Sequence, residues 1–600
     1  MRVWSSRAGL SSAWSSRAGL SSAWSSRAGL PRILRAAAAL LVVVLAVSAC
    51  AQIPTAGAVG TSKDGGSAIG NAPQYIPPGP QAGAGPQAII EGFFNAGSGY
   101  QNDFTVARQF LAPSNAVSWK PSQRTLVYRG SASVVGAGRP NAYRYVLDVA
   151  YSVDQDGIMT QYPPGTKQAI DVEVSQIDGQ WRVSNLPDGT VIPEETFKVL
   201  YRAFSVYFYD PGFTILVPDV RWFIDNSGVA KSLVSAVIAG PAPYLKTAVA
   251  SAFPPSIKLE RESVPIVGNI AQVDLTSELR DASFTDRQRM HSQLVRTFAA
   301  LPNVGGVSLR TNQTEVAIED PATGKLPDPI VDPKVPAWQV GIADNQIVQY
   351  GSKQASKIDG VGSVASFGPS YPAAAASQHV YAFLGADGKA LYSLLPGQPA
   401  RLLDSRQHFS PPSISPSEWV WSAGPGATGA TEVVTYRPVG TPAGTDIPRI
   451  TVGAPWLAGR TVKALRVARD GVRVLVLSEA DGQSTLQVAG IVRGPDGNPK
   501  SLTDPVTLPV TSKTPDIALW VDESTIVVSG TSSSDPVAPE LVSLQGGDPR
   551  QISPLAGIQA LSAGNGEQSI YAMTKDGIFL LVRTSWAEQG KGALQLAFAG

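Results

Sequence analysis

Hydrophobic positions along the 600-residue chain change period from region to region, and each period predicts a different kind of element. Ile89, Ile90, Phe93 and Phe94 recur at helical spacing, and Phe104, Ala107 and Leu111 do so again, predicting two short helices. Every odd residue from Tyr143 to Val153 is then apolar or aromatic, the period of a half-buried strand. Asp156-Gly157 follows as a turn. Ile170, Val172 and Val174, then Asp178-Gly179 and Trp181-Arg182-Val183, spell a hairpin. Further on, Val229, Leu233, Val237 and Ile238 line one side of a helix that Gly240-Pro241 stops. Strand-like runs at 257–267 and at Ala271, Val273 and Leu275 precede a second helix. Thr285 and Gln288 offer that helix a capping box, and Met290, Leu294, Phe298 and Leu301 give it an apolar side. The run 304–309 supplies a last strand.

Beyond the proline-rich stretch 326–336 the pattern becomes all β. Segments 367–395, 409–437, 465–492, 517–544 and 558–582 each carry a small-residue or Pro-Ser opening, an apolar strand and a Gly turn. A period of about 40–50 residues with that turn chemistry predicts a β-propeller. Asp387-Gly388, Asp470-Gly471, Asp481-Gly482 and Asp576-Gly577 are its hairpin signals. Segment 338–350 completes a sixth unit or closes the ring with 593–598, so five or six blades are expected.

Helices first and a curved antiparallel sheet afterwards resemble an NTF2-like cone. The fold class read from the chain is therefore multidomain: an α+β NTF2-like cone at 86–205, a second α+β domain at 206–320, a linker at 321–336, and an all-β propeller of five or six blades at 337–600. A length of 600 agrees with several modules, at about 150 residues each.

The N-terminal end sets the compartment. Arg32 and Arg35 precede an uncharged run, 36–49 (AAAALLVVVLAVSA), too short for the roughly 20 apolar residues of a membrane span and of the right length for a signal-peptide core. It ends Val47-Ser48-Ala49-Cys50, which looks like a bacterial lipobox, with cleavage between Ala49 and Cys50 and lipidation of Cys50 as N-palmitoyl and S-diacylglycerol cysteine. Cys50 is the sole cysteine of the chain. Upstream, WSSRAGLSSA repeats from Trp4 and Trp14 and restarts at Trp24; copies this short do not stack into a solenoid, and residues 1–49 read as a leader. Residues 50–85, rich in Gly, Ala, Pro and Ser, read as a tether whose root-mean-square span is about 30–35 Å.

Composition narrows the function. Forty-eight Lys and Arg against 47 Asp and Glu leave a net charge of +1, the wrong balance for neutralising a row of phosphates, so nucleic acid is not expected as a partner. One cysteine and three scattered histidines, His291, His379 and His408, leave too few ligands for a metal centre. His291 reads as a surface or capping histidine. Gly424, Gly426 and Gly429 match GxGxxG but run into a strand rather than a helix, so no helix N-terminus faces a pyrophosphate. Asp154 and Asp156 before Gly157 lack the other ligands of a calcium loop and read as turn formers. No nucleophile motif accompanies any histidine. The chain is thus read as a non-enzyme without catalytic residues, cofactor or metal.

Several motifs carry a resemblance. Leu216-Val217-Pro218-Asp219, GPAPYLKTAVASAFP at 240–254, AQVDL at 271–275 and QLVRTFAALPNVGGVSL at 293–309 are similar to the GerMN domain of the LpqB family of actinobacterial lipoproteins. FSPPSISPSEWVWSAG at 409–424, LRVARDGVRVLVLSE at 465–479 and AGIVRGPDGNPKSLTDP at 489–505 resemble that family's C-terminal propeller. The resemblance implies a GerMN-like second domain and a lipid anchor on the extracytoplasmic face of the cell membrane. It also implies a partner, the sensor domain of an MtrB-like histidine kinase, and a role in tuning MtrAB two-component signalling in envelope homeostasis and division. Cys50 is the one functional position it transfers. A receptor that holds a small ligand or peptidoglycan fragment in the cone or the propeller is the alternative reading.

Overall fold

A computed structural model of the chain describes residues 76–600. Three groups of elements follow one another along it. The first opens with helices α1 (Pro86–Ala96), α2 (Gln101–Gln109) and α3 (Pro113–Ser118). Strands β1 (Arg124–Gly136), β2 (Ala142–Asp154), β3 (Met159–Gln161), β4 (Lys167–Ile177), β5 (Gln180–Asn185) and β6 (Thr190–Pro193) come next. They form one sheet of order β5-β4-β2-β1-β6, with β3 on β2; β1 and β6 run parallel. Asp178 and Gly179 both adopt positive φ between β4 and β5, which is what a two-residue hairpin loop requires.

The apolar stripe of α1 packs Ile89, Ile90, Phe93 and Phe94 onto Tyr145, Leu147, Val149 and Val172 of the sheet. Phe94 stacks on Tyr145 with ring centroids 3.9 Å apart. The alternation of β2 breaks near Val149. A register shift between Val127 and Tyr128 of β1 turns Ala150 and Val153 toward the opposite face, where they meet Ile192 and Phe197. The sheet is therefore apolar on both faces at this end, and helix α4 (Glu194–Leu200) covers the second face.

Strands β7 (Tyr201–Tyr209) and β8 (Ile215–Ile224) begin the second group as a long antiparallel pair, and Asp210 ties the turn between them through Gly212, Thr214 and Ile215 N–H. Helix α5 (Val229–Ala239) and helix α6 (Phe284–Phe298) pack between this pair and a second sheet built from β9 (Ile266–Val267), β10 (Ile270–Asp274), β11 (Gly306–Thr311) and β12 (Thr314–Glu315). Met290, Leu294, Phe298 and Leu301 are buried as their spacing predicts.

Two local expectations change here. Most of 257–267 is not strand: only Ile266 and Val267 pair with β10, while Leu259 makes a single bridge to Leu275. The cap of α6 is Ser283 rather than Thr285: Ser283 Oγ accepts from Asp286 N–H at 3.1 Å and donates to the Asp286 carboxylate at 2.7 Å. Gln288, assigned to the capping box, is instead buried; its amide donates to Gly324 O and its carbonyl accepts from Leu326 N–H. The cap thus lies two residues earlier than predicted, and Asp286 supports it through the Ser283 hydroxyl.

The third group holds six antiparallel sheets of four or five strands among the described residues. Their innermost strands are Ser370–Ala374, Ser413–Ile414, Thr461–Val467, Ile517–Trp520, Ala560–Ala563 and Leu594–Phe598, and each touches the next around a closed ring. Leu594–Phe598 pairs with Gln339–Ala343, so the first sheet takes its inner strand from the C-terminal end of the chain. Segments 338–350 and 593–598 thus lie in one sheet. The four Asp-Gly signals all fall at strand-to-strand turns, and of the GxGxxG glycines Gly424 lies near the end of one strand while Gly426 and Gly429 lie in the hairpin loop that leads to the next.

Ser283→Ala is expected to lower stability by about 1 kcal/mol, the usual loss of an N-cap. Thr285→Ala should stay within about 0.5 kcal/mol of the parent. Thermal and urea unfolding of the two variants check this assignment of the cap.

Candidate functional site

Strand β8 meets both neighbouring groups. Val217, Asp219, Arg221 and Phe223 share one face of it by strand alternation, and the two charged members have no exposed surface at all. Arg221 donates to Asp219 Oδ2 at 2.7 Å, to Gly240 O at 2.9 Å and, across to the first group, to Asp156 O at 2.9 Å. Asp219 Oδ2 also accepts from Ala242 N–H. Asp219 Oδ1 and Arg221 Nε have no hydrogen-bond partner among the described residues. The turn predicted at Asp154–Gly157 forms, with Asp154 accepting from Asp156 and Ile158 N–H. Its Asp156 carbonyl is what Arg221 grips.

On the side of the sheets, Val217 and Ala248 pack on Val472. Tyr244 O accepts from Gly490 N–H at 3.1 Å and from Thr503 Oγ1 at 2.6 Å. Gly490 is required there: a Cβ would stand 2.6 Å from the Ala248 methyl and 2.8 Å from Tyr244 O. Next to this contact lies a second buried pair, in which Arg473 donates to Asp470 at 2.7 Å. Burial raises the Tyr244 phenol well above its ordinary range, and it lies within the fields of both pairs. Tyr244 is thus a neutral hydroxyl between two desolvated ion pairs.

All three groups also border a cleft of about 670 Å³, lined among others by Tyr201, Arg202, Trp222, Arg296, Glu523 and Gly546. Trp222 packs tilted against Phe197 with centroids 5.3 Å apart, donates its backbone N–H to Gly157 O and lies over Gly546. Tyr207 donates to Glu523 at 2.9 Å and accepts from Arg296, which reaches the same carboxylate at 3.2 Å. Burial, the largest influence, together with Glu523 keeps the Tyr207 phenol protonated, and burial alone lifts Tyr201 to about 12. These groups are arranged to lock orientation; no acid and base here flank a nucleophile.

Cys50 and the Ala49–Cys50 cleavage point lie outside the described residues. His291 is neither a surface nor a capping residue. It is partly buried on α6, and Nε2 donates to Val307 O at 3.1 Å, so it ties the helix to β11. His379 sits apart at the surface, 2.9 Å from Glu418. Among the described residues no group of three His, Cys, Asp or Glu side chains comes together as a metal site, and no helix is long and apolar enough to cross a membrane. Local sequence assigns no role to the interdomain residues Asp219, Arg221 and Glu523, and Asp219 stands out only within the GerMN-like motif 216–219. A signal was present for the first two: charges at alternate positions on the buried face of an apolar strand demand a partner in the fold.

The geometry defines a class: a multidomain, strand-rich protein in which a small α+β domain clamps another α+β domain to an all-β domain of propeller type. Family models described as the N-terminal domain of lipoprotein LpqB, "Sporulation and spore germination" (Germane), and the lipoprotein LpqB beta-propeller domain match residues 79–198, 205–317 and 345–595 in that order. The chain belongs to the LpqB family. Lipoprotein LpqB of Thermobifida fusca (strain YX) is 28% identical over 304 residues, 48% of this chain and 47% of that one. Lipoprotein LpqB of Rhodococcus opacus (strain B4) is 25% identical over 527 residues, 83% and 85% of the two chains. The first alignment thus spans about half of its relative and the second most of it. A crystal structure of TolB from Acinetobacter baumannii aligns with 44% of this chain and 66% of its own at 16% identity and a TM-score of 0.30.

Replacing Arg221 by Met should destabilise the protein by about 3–5 kcal/mol, because Asp219 is then left buried and unpaired. The Asp219→Asn, Arg221→Met double variant should recover part of that loss, which urea unfolding measures. Burial, the largest influence, holds the His291 imidazole below its ordinary value, against the opposing pull of the Val307 carbonyl; Lys325 lowers it further, and Asp328 and Glu319 raise it. The unfolded imidazole, at about 6.5, then takes up a proton that the folded one resists. Stability should be insensitive to this group above about pH 6.5 and fall as the pH drops below it, and His291→Gln should remove that component from the pH dependence of the unfolding midpoint.

Proposed function

We propose that this chain is a lipid-anchored accessory protein of the bacterial cell envelope. In this reading residues 1–49 direct export, cleavage falls between Ala49 and Cys50, and Cys50 carries the S-diacylglycerol and N-palmitoyl groups that hold it at the extracytoplasmic face of the membrane. Residues 50–85 are the tether, 86–205 an NTF2-like cone, 206–320 a GerMN-like domain, 321–336 a linker, and 337–600 a propeller whose blades are the six sheets. Its action is by contact: it binds the sensor domain of an MtrB-like histidine kinase and modulates MtrAB signalling in envelope homeostasis and division.

The observation that carries this reading is the coincidence of the chain's one cysteine with the end of the apolar run 36–49, ahead of three segments that match the family in order. The names of the relatives, lipoprotein LpqB, support the anchor. The clamped arrangement around β8 supports the contact role, since it presents surfaces of three domains in a fixed relation without a catalytic step. Anchoring confines chain and kinase to one plane, which raises their effective concentration, so a weak contact suffices.

Cys50→Ala is expected to leave the unfolding profile unchanged, to move the protein from the membrane to the soluble fraction and to weaken kinase signalling. Calorimetric titration of the chain into the kinase sensor domain at moderate salt should give saturable heat. Normal signalling by a soluble Cys50→Ala chain would remove the anchor from the mechanism; absence of any complex at high concentration would remove the kinase.

A further inference from the structure

The ring of six inner strands encloses a cavity of about 660 Å³. Its volume falls in the range of small-molecule sites. Two guanidinium groups, Arg466 and Arg469, line it, and neither has an acidic partner within ion-pair distance among the described residues. Arg466 Nη1 donates to the carbonyls of Pro411 and Pro412, at 3.0 and 2.7 Å, and its other nitrogens make no hydrogen bond to the described residues. Arg469 Nη2 donates to the carbonyls of Trp520, Val521 and Gly564, and its Nη1 is buried with no hydrogen-bond partner among the described residues. Burial depresses Arg466 to about 10 and also lowers Arg469, on which Asp332 and Asp522 act in the opposite direction from beyond ion-pair distance; both remain cations at neutral pH.

Of the remaining charges on the wall, Lys463 and Asp516 face each other at 3.8 Å, and Lys463 also reaches Glu479. Two guanidinium groups without an ion-pair partner among the described residues therefore stand in a confined space whose walls include Phe409, Trp520 and Phe598. A charge so placed is stabilised by a counter-charge or by water, and carbonyl oxygens satisfy only part of each guanidinium fork. A second feature marks the same wall. Tyr371 and Gln595, on neighbouring inner strands, both hold left-handed φ, 49° and 50°, and Tyr371 N–H donates to the Gln595 side chain at 2.7 Å. For residues with a Cβ that backbone is strained, and such strain gathers where a fold builds a binding wall.

We propose that the axial cavity is a binding site for a small anion: a molecule carrying a carboxylate or phosphate, held by Arg466 and Arg469, with a ring or other apolar body against Phe409, Trp520 and Phe598. The site takes a ligand whether or not the chain binds a kinase, so the two readings fail separately.

The test uses the full chain in detergent and the probes 4-bromobenzoate, its neutral counterpart 4-bromobenzamide, and inorganic phosphate, at constant ionic strength. Calorimetry is expected to show saturable binding of 4-bromobenzoate or of phosphate, at least tenfold tighter than 4-bromobenzamide, with at least a tenfold loss in Arg466→Met and in Arg469→Met. Which of the two anions binds more tightly distinguishes carboxylate from phosphate ligands. Crystals of the unaltered chain soaked in 4-bromobenzoate keep the test valid when a variant fails to fold: an anomalous bromine peak inside the ring supports the site. Absence of saturable binding by both anions, equal affinity for the amide, unchanged affinity in both folded variants, or a bromine peak only outside the ring overturns it.

Discussion

The Asp219–Arg221 pair on β8 is the constraint on which the rest of the arrangement depends. Its members are two residues apart, so they lie on the same face of one strand, and both are fully buried. A desolvated arginine is tolerable only when most of its donors are used, and this one uses them on three separate pieces of chain: its own strand, the C-terminal end of α5 and the Asp154–Gly157 turn of the neighbouring domain. Domain orientation is therefore part of how the charge is satisfied. A rotation of the first domain that broke the Asp156 contact would leave a buried donor without a partner, which costs about 1–3 kcal/mol or more for a charged group.

The same economy recurs on the other side of β8. Tyr244 supplies the carbonyl that Gly490 and Thr503 need, Val217 and Ala248 fill the apolar contact with Val472, and Tyr207 and Arg296 converge on Glu523. Interfaces inside one chain are more polar than domain cores, and these rely on a few desolvated hydrogen bonds to set their angle. A rigid clamp of this kind suits a protein that acts by presenting a surface, because less conformational freedom remains to be lost when a partner binds.

The third group illustrates a different constraint, closure. A ring of sheets leaves no free inner edge once the last inner strand, Leu594–Phe598, joins the sheet begun by Gln339–Ala343. Residues more than two hundred positions apart in sequence then share one sheet, and the inner strands bring Arg466, Arg469, Tyr371 and Gln595 to a common cavity. None of these is near another in local sequence pattern except the two arginines. The cavity is a product of closure rather than of any one segment.

Much of this protein is legible in its sequence. Helix α1 and the hairpin of β4 and β5 follow from local spacing and turn residues, as do helix α5 and the Asp-Gly turns of the sheets, because period and left-handed φ are properties of a few neighbouring residues. The cap of α6 was misplaced by two residues because Ser283 and Thr285 are both acceptable caps, and only the packing of Gln288 against Gly324 and Leu326 decides between them. Likewise 257–267 opens on a strand-like Ile257 and Leu259, but polar residues and Pro265 follow, and beyond the single Leu259 bridge only Ile266 and Val267 find strand partners. His291 and Glu523 take their roles from atoms that the chain brings back from 16 or more positions away, and so do the partners that Asp219 and Arg221 find beyond each other, at Ala242, Gly240 and Asp156. Local sequence determines which elements form and where the chain turns; the partners that buried charges find in other elements, the angle between domains and the cavity inside the ring were decided by tertiary structure, because desolvated polar groups are satisfied only by whatever the fold places next to them.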